Sequence, residues 1–174
     1  MSVQEEILDI VDVQDRVVGQ ATRSAVHIHK LWHRAVHIFL FNPRGELFIQ
    51  KRAVTKDTFP LCYDSSASGH VNSGESYDDC ARREMEEELG LVLAKKLLRR
   101  HFQIAACSET GWEFVWVYSV RGDYHPIINP VEIESGSYWP VAEVARQLMD
   151  SPEKWAPSFR RVFDEFWQRR LFVL

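Results

Sequence analysis

Three glutamates in the middle of the chain have the spacing of a metal site on a helix. Glu84, Glu87 and Glu88 stand at positions i, i+3 and i+4, which lie on one face of an α-helix. Because like charges at this spacing destabilise an isolated helix by about 0.2–0.5 kcal/mol per pair, the cluster needs a counter-charge. Mg²⁺ and Mn²⁺ are hard cations that bind oxygen ligands and complete their shells with water and substrate phosphates. The spacing therefore predicts a divalent-metal site for phosphate chemistry, and the alternative is an acidic helix face exposed to solvent.

The residues around this cluster carry the signals of a helix from 76 to 89. Ser76 is a suitable N-cap, and Asp78 and Asp79 place negative charge in the first turn, where it complements the helix dipole. Gly90 follows the last turn, at the position where helices commonly end in a left-handed residue. Glu86 is rotated away from the other three glutamates and is predicted to be solvated.

The flanking sequence alternates strand and helix patterns, which predicts an α/β or α+β class. Pro43 and Gly45 predict a turn, and hence a β-hairpin between the strands on either side. Residues 20–34 are expected to be a loop or one helical turn, and residues 53–70 a loop with a short strand. The predicted strands are 7–12, 17–19, 35–41, 47–52, 99–106 and 113–120, and the other predicted helices are 141–149 and 159–171.

Composition narrows the class of protein. The chain has 174 residues, 45% of them hydrophobic and 26% charged, which is typical of one globular domain. A formal net charge of −4 argues against a nucleic-acid polymer as partner. Cys62, Cys80 and Cys107 form no C-x-x-C pair, and no apolar run is long enough for a membrane span. Residues 1–6 are polar and acidic, so we expect a cytoplasmic protein without membrane contact, either a monomer or a homodimer.

The stretch from Gly69 to Leu91 resembles the Nudix box. Gly69 is followed by five residues, Glu75, seven residues and then the run Arg-Glu-Met-Glu-Glu-Glu-Leu-Gly-Leu, so that every fixed position is matched. The resemblance implies an α/β fold, a Nudix-type α/β/α sandwich with a mixed central sheet and a loop–helix–loop metal motif. It implies a single Nudix domain over residues 1–174, with a hairpin at about 7–20, a core at about 33–145 and a C-terminal helix at about 158–172.

The resemblance also implies a reaction. Nudix hydrolases use Mg²⁺ or Mn²⁺ to cleave a nucleoside diphosphate linked to another moiety, by attack of water on phosphorus. The expected partner is therefore a small-molecule diphosphate. The matching residues are Glu84, Glu87 and Glu88 for the metal, Glu75 and Arg83 for the loop–helix geometry, and Gly69 and Gly90 at positions that need no Cβ.

Further residues are candidates for catalysis and substrate binding. The general base in this family is often a glutamate of the box or of a later loop, so Glu88 is the first candidate and Glu132 the second. Glu87, one of the predicted metal ligands, is also a candidate catalytic residue. Cationic side chains after the first hairpin would suit a diphosphate, and the alternative is a solvated basic turn. These cationic residues are Lys51, Arg52 and Lys56.

The segments outside the box resemble the isopentenyl-diphosphate-isomerase-like branch of the Nudix superfamily. The matching motifs include Asp9-Ile10-Val11-Asp12, His33-Arg34-Ala35-Val36-His37 and Lys51-Arg52-Ala53, and the resemblance covers about residues 7–145. The isomerase has a catalytic Cys where this chain has Ser68, and a Glu-x-Glu where this chain has Glu113-Phe114-Val115. We therefore favour a pyrophosphohydrolase, and keep an isopentenyl-diphosphate isomerase and a non-catalytic nucleotide-binding module as alternatives.

His27, His29, His33, His37 and His70 fall in the region that corresponds to the metal site of the isomerase. His33 and His70 match that pattern best, and His27 or His29 is the third candidate. One interpretation is a second metal site. The other is a group of histidines that are hydrogen-bonded in the core or exposed to solvent.

Overall fold

A computed structural model describes residues 5–172 of the chain, which form nine strands and four α-helices. The strands are β1 (Ile7–Val11), β2 (Val17–Thr22), β3 (His33–Phe41), β4 (Leu47–Arg52), β5 (Tyr63–Asp64), β6 (Ala67–His70), β7 (Arg99–Ile104), β8 (Glu113–Arg121) and β9 (Ile133–Trp139). The helices are α1 (Arg23–His29), α2 (Tyr77–Leu89), α3 (Val141–Asp150) and α4 (Pro157–Gln168).

Seven of these strands form one mixed sheet built around β3 and β8. These two strands run parallel, and the other pairs are antiparallel. The order is β5-β4-β3-β8-β7, with β6 added to β3 and β9 added to β4. Strand β3 pairs with β4 at Phe41 and with β6 from Ala35 to Ile38. The sheet therefore divides along β3, and the division leaves room for a cavity.

Alternate side chains of the central strands pack into two separate hydrophobic cores, one on each face of the sheet. On one face, Phe39 and Val117 pack in a cluster with Phe166 of α4. On the other face, Ile38 packs in a cluster with Met85 of α2. Burying each such side chain contributes about 1.5–3 kcal/mol. Helices cover both faces of a mixed sheet, which confirms the predicted α/β/α sandwich.

Helix α2 begins and ends as predicted. The Ser76 hydroxyl accepts a hydrogen bond from the backbone N–H of Asp79 at 3.2 Å, and Gly90 ends the helix with a φ of 66°. The carbonyls of the last turn, which a helix leaves unpaired, are satisfied by a following loop. The backbone N–H of Asn129 donates to the carbonyl of Glu88 at 2.9 Å. The loop around Asn129 is thus fixed beside the C-terminal end of α2.

Several elements differ from the sequence predictions. Residues 23–29 form a full helix where a loop or a single turn was expected, because Thr22 caps it and Lys30 ends it with a φ of 53°. Strand β9 was not predicted, because its centre, Glu134 to Ser137, is polar and exposed. Helix α4 starts at Pro157 rather than at residue 159, since proline is favoured in the first turn of a helix.

The N-terminal hairpin of β1 and β2 is a separate two-stranded sheet that holds the loop before α2. The Asp9 carboxylate accepts a hydrogen bond from the Ser73 hydroxyl at 2.7 Å. The Asp15 carboxylate accepts from Arg34 Nε at 2.7 Å and from the Tyr77 hydroxyl at 2.9 Å. These contacts join the hairpin to β3 and to the first residue of α2.

The three cysteines are free thiols, which agrees with the absence of a C-x-x-C pair. Within residues 5–172, no helix is long and apolar enough to cross a membrane.

Candidate active site

A cavity of about 800 Å³ lies where the sheet divides along β3. Pockets for small molecules measure about 300–1,000 Å³, so this space suits a ligand larger than a diphosphate alone. Helix α2, strands β3 and β6 and the start of α4 all contribute residues to its lining. The lining includes the glutamates of α2 and two of the predicted histidines.

Three of the four glutamates of α2, namely Glu84, Glu87 and Glu88, face this cavity with different degrees of burial. Glu84 is 7% exposed and Glu88 is 5% exposed, whereas Glu87 is exposed. Glu88 Oε2 accepts hydrogen bonds from Gln50 Nε2 at 2.8 Å and from the backbone N–H of Ser68 at 3.3 Å. Glu86 is exposed and does not line the cavity, as its position on the helix predicted.

Burial makes the charged forms of two of these glutamates costly. It raises the pKa of Glu84 to about 7, although Arg83 opposes the shift. Burial and the neighbouring Glu84 raise the pKa of Glu88 well above its usual value. A cation beside these carboxylates would offset the cost, and an all-oxygen donor set fits Mg²⁺ or Mn²⁺. Glu84, Glu87 and Glu88 are therefore a chemically suitable ligand set.

Arg83 connects the loop before α2 to the glutamates. Its Nε and Nη2 donate to the two oxygens of Glu75, each at 2.9 Å, in a bidentate ion pair. Its Nη1 lies 2.6 Å from Glu84 Oε1 and 3.0 Å from Glu87 Oε2. Nη2 also donates to the carbonyl of His70 at 2.9 Å. One guanidinium therefore sets the positions of the loop, of β6 and of two predicted metal ligands.

Gly69 allows α2 to approach β6. A Cβ at this position would lie 2.1 Å from Glu84 Oε1, which no real side chain tolerates. Gly90 has a left-handed φ of 66°, which favours glycine, and a Cβ there would lie 3.3 Å from Ile127. Glycine is therefore favoured at the two positions for different physical reasons, which are the close approach of α2 at Gly69 and the left-handed backbone conformation at Gly90.

The predicted cationic residues do not all reach the cavity. Arg52 and Lys56 line it, whereas Lys51 is not among the lining residues in the part of the chain that the structure describes. Successive residues of a strand point to opposite faces, so Lys51 and Arg52 cannot both face the same space. Arg52 Nη1 donates to Asp64 Oδ2 at 3.1 Å, and Lys56 pairs with Glu132. Glu132 thus lines the cavity as one half of an ion pair.

Three histidines and one glutamate form a second ionisable cluster. The ligand atoms of His27, His33 and His70 all lie within 4.8 Å of one another. His70 Nε2 lies 3.1 Å from Glu113 Oε1. Nε2 of His27 is buried and has no hydrogen-bond partner among the described residues, whereas the buried Nε2 of His33 lies 3.5 Å from Glu113 Oε1. His29 is exposed, so the third histidine of the cluster is His27.

The electrostatics of this cluster are set by burial and by Glu113. Burial lowers the pKa of His27 to about 4, so this imidazole is neutral at pH 7. Burial also opposes the charged form of His70, but contacts with Glu113 and Glu6 outweigh it and raise the pKa of His70 to about 9. Burial alone would raise the pKa of the Glu113 carboxyl, but His33 and His70 hold it well below its usual range. Imidazole nitrogens without partners beside a carboxylate are a suitable donor set for a transition metal.

Other polar residues of the cavity were not proposed as site residues from the sequence. Arg23 makes a bidentate ion pair with Asp57, at 2.6 and 2.9 Å, across the N-terminal side of the cavity. His37 and Asp64 are buried and also line it. A buried polar residue in an apolar strand was the available signal for His37, which lies inside the Ala35–Phe41 run.

A scan against protein families decides the relationship. The NUDIX domain family model matches residues 31–166. The chain belongs to the Nudix family. Nudix hydrolases act on phosphorus-containing acid anhydrides and generally use divalent metal cations, and this protein is an enzyme of that class.

Several Nudix relatives resemble the chain over most of its length. A Nudix hydrolase from Streptomyces coelicolor, itself described as uncharacterized, is 40% identical over 150 residues, which cover 85% of this chain and 82% of the relative. The crystal structure of DR0079 from Deinococcus radiodurans has a TM-score of 0.81 and 32% identity, and covers 92% of this chain and 98% of that chain. Isopentenyl-diphosphate Delta-isomerase 2 from Photorhabdus laumondii is 29% identical over 174 residues, which cover 95% of this chain and 98% of the relative. The isomerase-like branch of the Nudix superfamily is thereby confirmed.

Substituting Gly69 tests whether the close approach of α2 positions Glu84. In Gly69→Ala, the new Cβ forces the Glu84 carboxylate to move, because that group is the far end of a flexible side chain. We expect Mn²⁺ affinity, measured by titration calorimetry, to fall by about 10–100-fold, as it does when groups that orient metal ligands are lost. The free energy of unfolding should fall by no more than about 1–3 kcal/mol. Gly19→Ala is the control, since its nearest atom would be Ile10 Cδ1 at 3.8 Å. Equal Mn²⁺ affinity in the two variants would contradict the argument.

Proposed function

We propose that this protein is a Mg²⁺- or Mn²⁺-dependent pyrophosphohydrolase that cleaves a nucleoside diphosphate linked to another moiety. The observation that carries the proposal is the pair of buried carboxylates, Glu84 and Glu88, beside the exposed Glu87 on one face of α2 in a large cavity. Arg52 and Lys56 in the same cavity support a substrate with phosphate groups.

The divalent ion, when bound, would offset charge on the phosphates. It would also lower the pKa of a bound water towards 7, so that hydroxide is available near neutral pH. Glu84, Glu87 and Glu88 would hold it. Arg83 keeps Glu84 and Glu87 oriented through its 2.6 and 3.0 Å contacts. Lys56, once released from Glu132, would attract the phosphates of the substrate.

Glu88 is the better candidate for the general base. Its Oε2 is held by Gln50 and by the backbone N–H of Ser68, so the carboxylate is fixed in place. Burial and the neighbouring Glu84 raise the pKa of Glu88, and a raised pKa makes a carboxylate a more effective base near neutral pH. Glu132 is the second candidate, and its pairing with Lys56 would have to break before it could take a proton.

A matched pair of glutamine variants tests the metal site. We expect Glu87→Gln to lower divalent-dependent hydrolysis by at least about 100-fold, because even groups behind the metal ligands contribute about 10–100-fold. Glu86→Gln is the control, since Glu86 is also an exposed glutamate of α2 but does not line the cavity. The assay uses nucleoside diphosphates, nucleoside triphosphates and nucleotide sugars with Mg²⁺ and Mn²⁺, and includes isopentenyl diphosphate. Full activity in Glu87→Gln would defeat the proposal, and binding without hydrolysis by the unaltered protein would favour a nucleotide-binding module.

An isopentenyl-diphosphate isomerase is the second candidate function, and the histidine cluster is the observation that favours it. The isomerase to which the chain is similar is named for that reaction. Ser68 supports a hydrolase, because a serine hydroxyl is a much weaker acid than a thiol, whose free pKa is near 8.5. Val115 also supports it, because this residue is fully buried and has no proton to transfer.

Ser68→Ala separates these two functions. We expect hydrolysis to change by less than about threefold, because only the backbone N–H of Ser68 contacts Glu88 and alanine keeps it. Conversion of isopentenyl diphosphate to its isomer should be absent before and after the substitution, as followed by NMR. Isomer formation that Ser68→Ala abolishes would revive the isomerase.

We also propose that His27, His33 and His70 hold a second metal ion, which would have to displace the proton that Glu113 and Glu6 favour on His70. The buried Nε2 of His27 supports this proposal, since a polar group without a hydrogen-bond partner is costly to bury unless something binds it. Zn²⁺ titration should give a site that His33→Ala removes and Glu87→Gln keeps. His101→Ala is the control, because His101 lies outside the cavity lining. Unchanged Zn²⁺ binding in His33→Ala would show that the histidines are not ligands.

A further inference from the structure

His37 is a buried residue of the cavity that the proposed reaction does not use. It lines the cavity from β3 and is 2% exposed. Its Nδ1 lies 2.6 Å from the hydroxyl of Ser65, which is fully buried. In the pairing of β3 with β6, His37 lies opposite Ser68, another residue of the cavity lining. The hydroxyl of Ser65 therefore holds one ring nitrogen, and the described residues provide no hydrogen bond to the other, Nε2.

The charges around His37 are already paired. Asp64 Oδ1 lies 3.9 Å from His37 Nδ1, but this carboxylate accepts hydrogen bonds from Arg52 Nη1 at 3.1 Å and from the backbone N–H of Ser65 at 2.7 Å. Burial lowers the pKa of His37, so the imidazole is neutral at pH 7. A neutral imidazole beside a neutralised ion pair does not attract a phosphate. It suits a group that can both donate and accept a hydrogen bond, which is a hydroxyl.

The start of α4 adds polar groups to the lining of this cavity. Ala156, Pro157 and Ser158 line it, and the first turn of α4 receives no side-chain cap. Pro157 has no backbone N–H, but the N–H groups of Ser158 and Phe159 have no partner within the helix and are therefore available as donors. The N–H of Ala156 donates to the carbonyl of Tyr63 at 2.9 Å, which fixes this turn beside β5 and close to the Asp64–Ser65 segment that holds His37.

We propose that His37 is a specificity-determining residue that recognises a hydroxyl group on the moiety attached to the diphosphate. The recognition subsite consists of His37, Ser158 and the first turn of α4. The substrate class is accordingly a diphosphate that carries a sugar or another polyol, not an isoprenyl chain. This inference rests on the proposed hydrolase function, because the moiety that carries the hydroxyl belongs to the substrate of that reaction. It would occupy the part of the 800 Å³ cavity that the diphosphate does not fill.

The first experiment compares substrates with the unaltered protein. Hydrolysis of ADP-ribose, UDP-glucose and isopentenyl diphosphate is measured with Mg²⁺ and with Mn²⁺. We expect at least one of the sugar-bearing diphosphates to be cleaved with a kcat/KM at least tenfold above that for isopentenyl diphosphate. A preference for isopentenyl diphosphate would overturn the inference.

The second experiment substitutes the recognising residue. For the sugar-bearing diphosphate that is cleaved, His37→Leu should lower kcat/KM about tenfold, mainly through KM, which corresponds to about 1.4 kcal/mol. Monodeoxy analogues of the same substrate are tested in parallel. For one analogue the effect of His37→Leu should vanish, because the hydroxyl that His37 contacts is already missing. His37→Gln should recover part of the affinity for the full substrate, since an amide can both donate and accept.

His101→Leu is the matched control. His101 Nε2 lies 2.7 Å from the Ser119 hydroxyl, so this residue also forms a His–Ser pair, but it does not line the cavity. Thermal unfolding of both leucine variants shows whether they are folded. A tenfold loss that is the same for every deoxy analogue, or no loss at all, would overturn the role of His37. If Glu87→Gln abolishes hydrolysis while His37→Leu leaves it unchanged, this inference fails and the proposed function stands. If Glu87→Gln is fully active, the proposed function itself fails.

Discussion

The candidate site depends on the burial of two carboxylates, Glu84 and Glu88, against β6. This strand has a glycine, Gly69, where Glu84 packs against it. Removing an anion from water is costly unless hydrogen bonds or opposite charge replace the solvent. The protein supplies both, through Arg83 at Glu84 and through Gln50 and the Ser68 amide at Glu88. The same burial raises the pKa of Glu84 to about 7. A cation bound beside these carboxylates would offset the cost of removing the water that would otherwise stabilise their charges.

The division of the sheet along β3 brings two different chemistries to one cavity. Strand β6 continues the pairing where β4 diverges, and its successive residues face opposite sides. Gly69 receives Glu84 from α2 on one side, whereas His70 turns to the histidine cluster on the other. The proposed oxygen ligands and the proposed nitrogen ligands are thus separated by a single strand. Within one cavity, the carboxylates would prefer a hard cation and the histidines a transition metal.

Local signals were sufficient to predict the elements that carry the box. Capping at Ser76 and the left-handed Gly90 mark α2 so clearly that its bounds agree with the structure. Prediction failed where long-range pairing decides the conformation. Strand β9 has a polar centre and exists because β4 offers it a hydrogen-bonding edge, which no local pattern reports. Helix α1 is short, and its cap at Thr22 was not recognised in a polar segment.

The predictability of the site follows the same division. Residues that match a fixed motif were predicted by position, and the ion pair between Glu75 and Arg83 is the contact which that motif implies. Residues that reach the cavity from elsewhere were harder to select. Lys51 was grouped with Arg52 because they are neighbours in sequence, but alternation along β4 separates them. His37 was not selected as a site residue, because a buried histidine in an apolar strand is usually only a packed residue.

The hairpin and α1 lie largely before the segment that matches the Nudix family, which begins at residue 31. They nevertheless supply His27 and Arg23 to the cavity, and Asp9 secures the loop that leads into α2. The boundary defined by sequence similarity is therefore not the physical boundary of the site. Enzymes that share the motif can differ in what they admit by exchanging this preceding segment, while the hydrolytic machinery is left untouched. A change of ligand would then require no change in the residues by which the family is recognised.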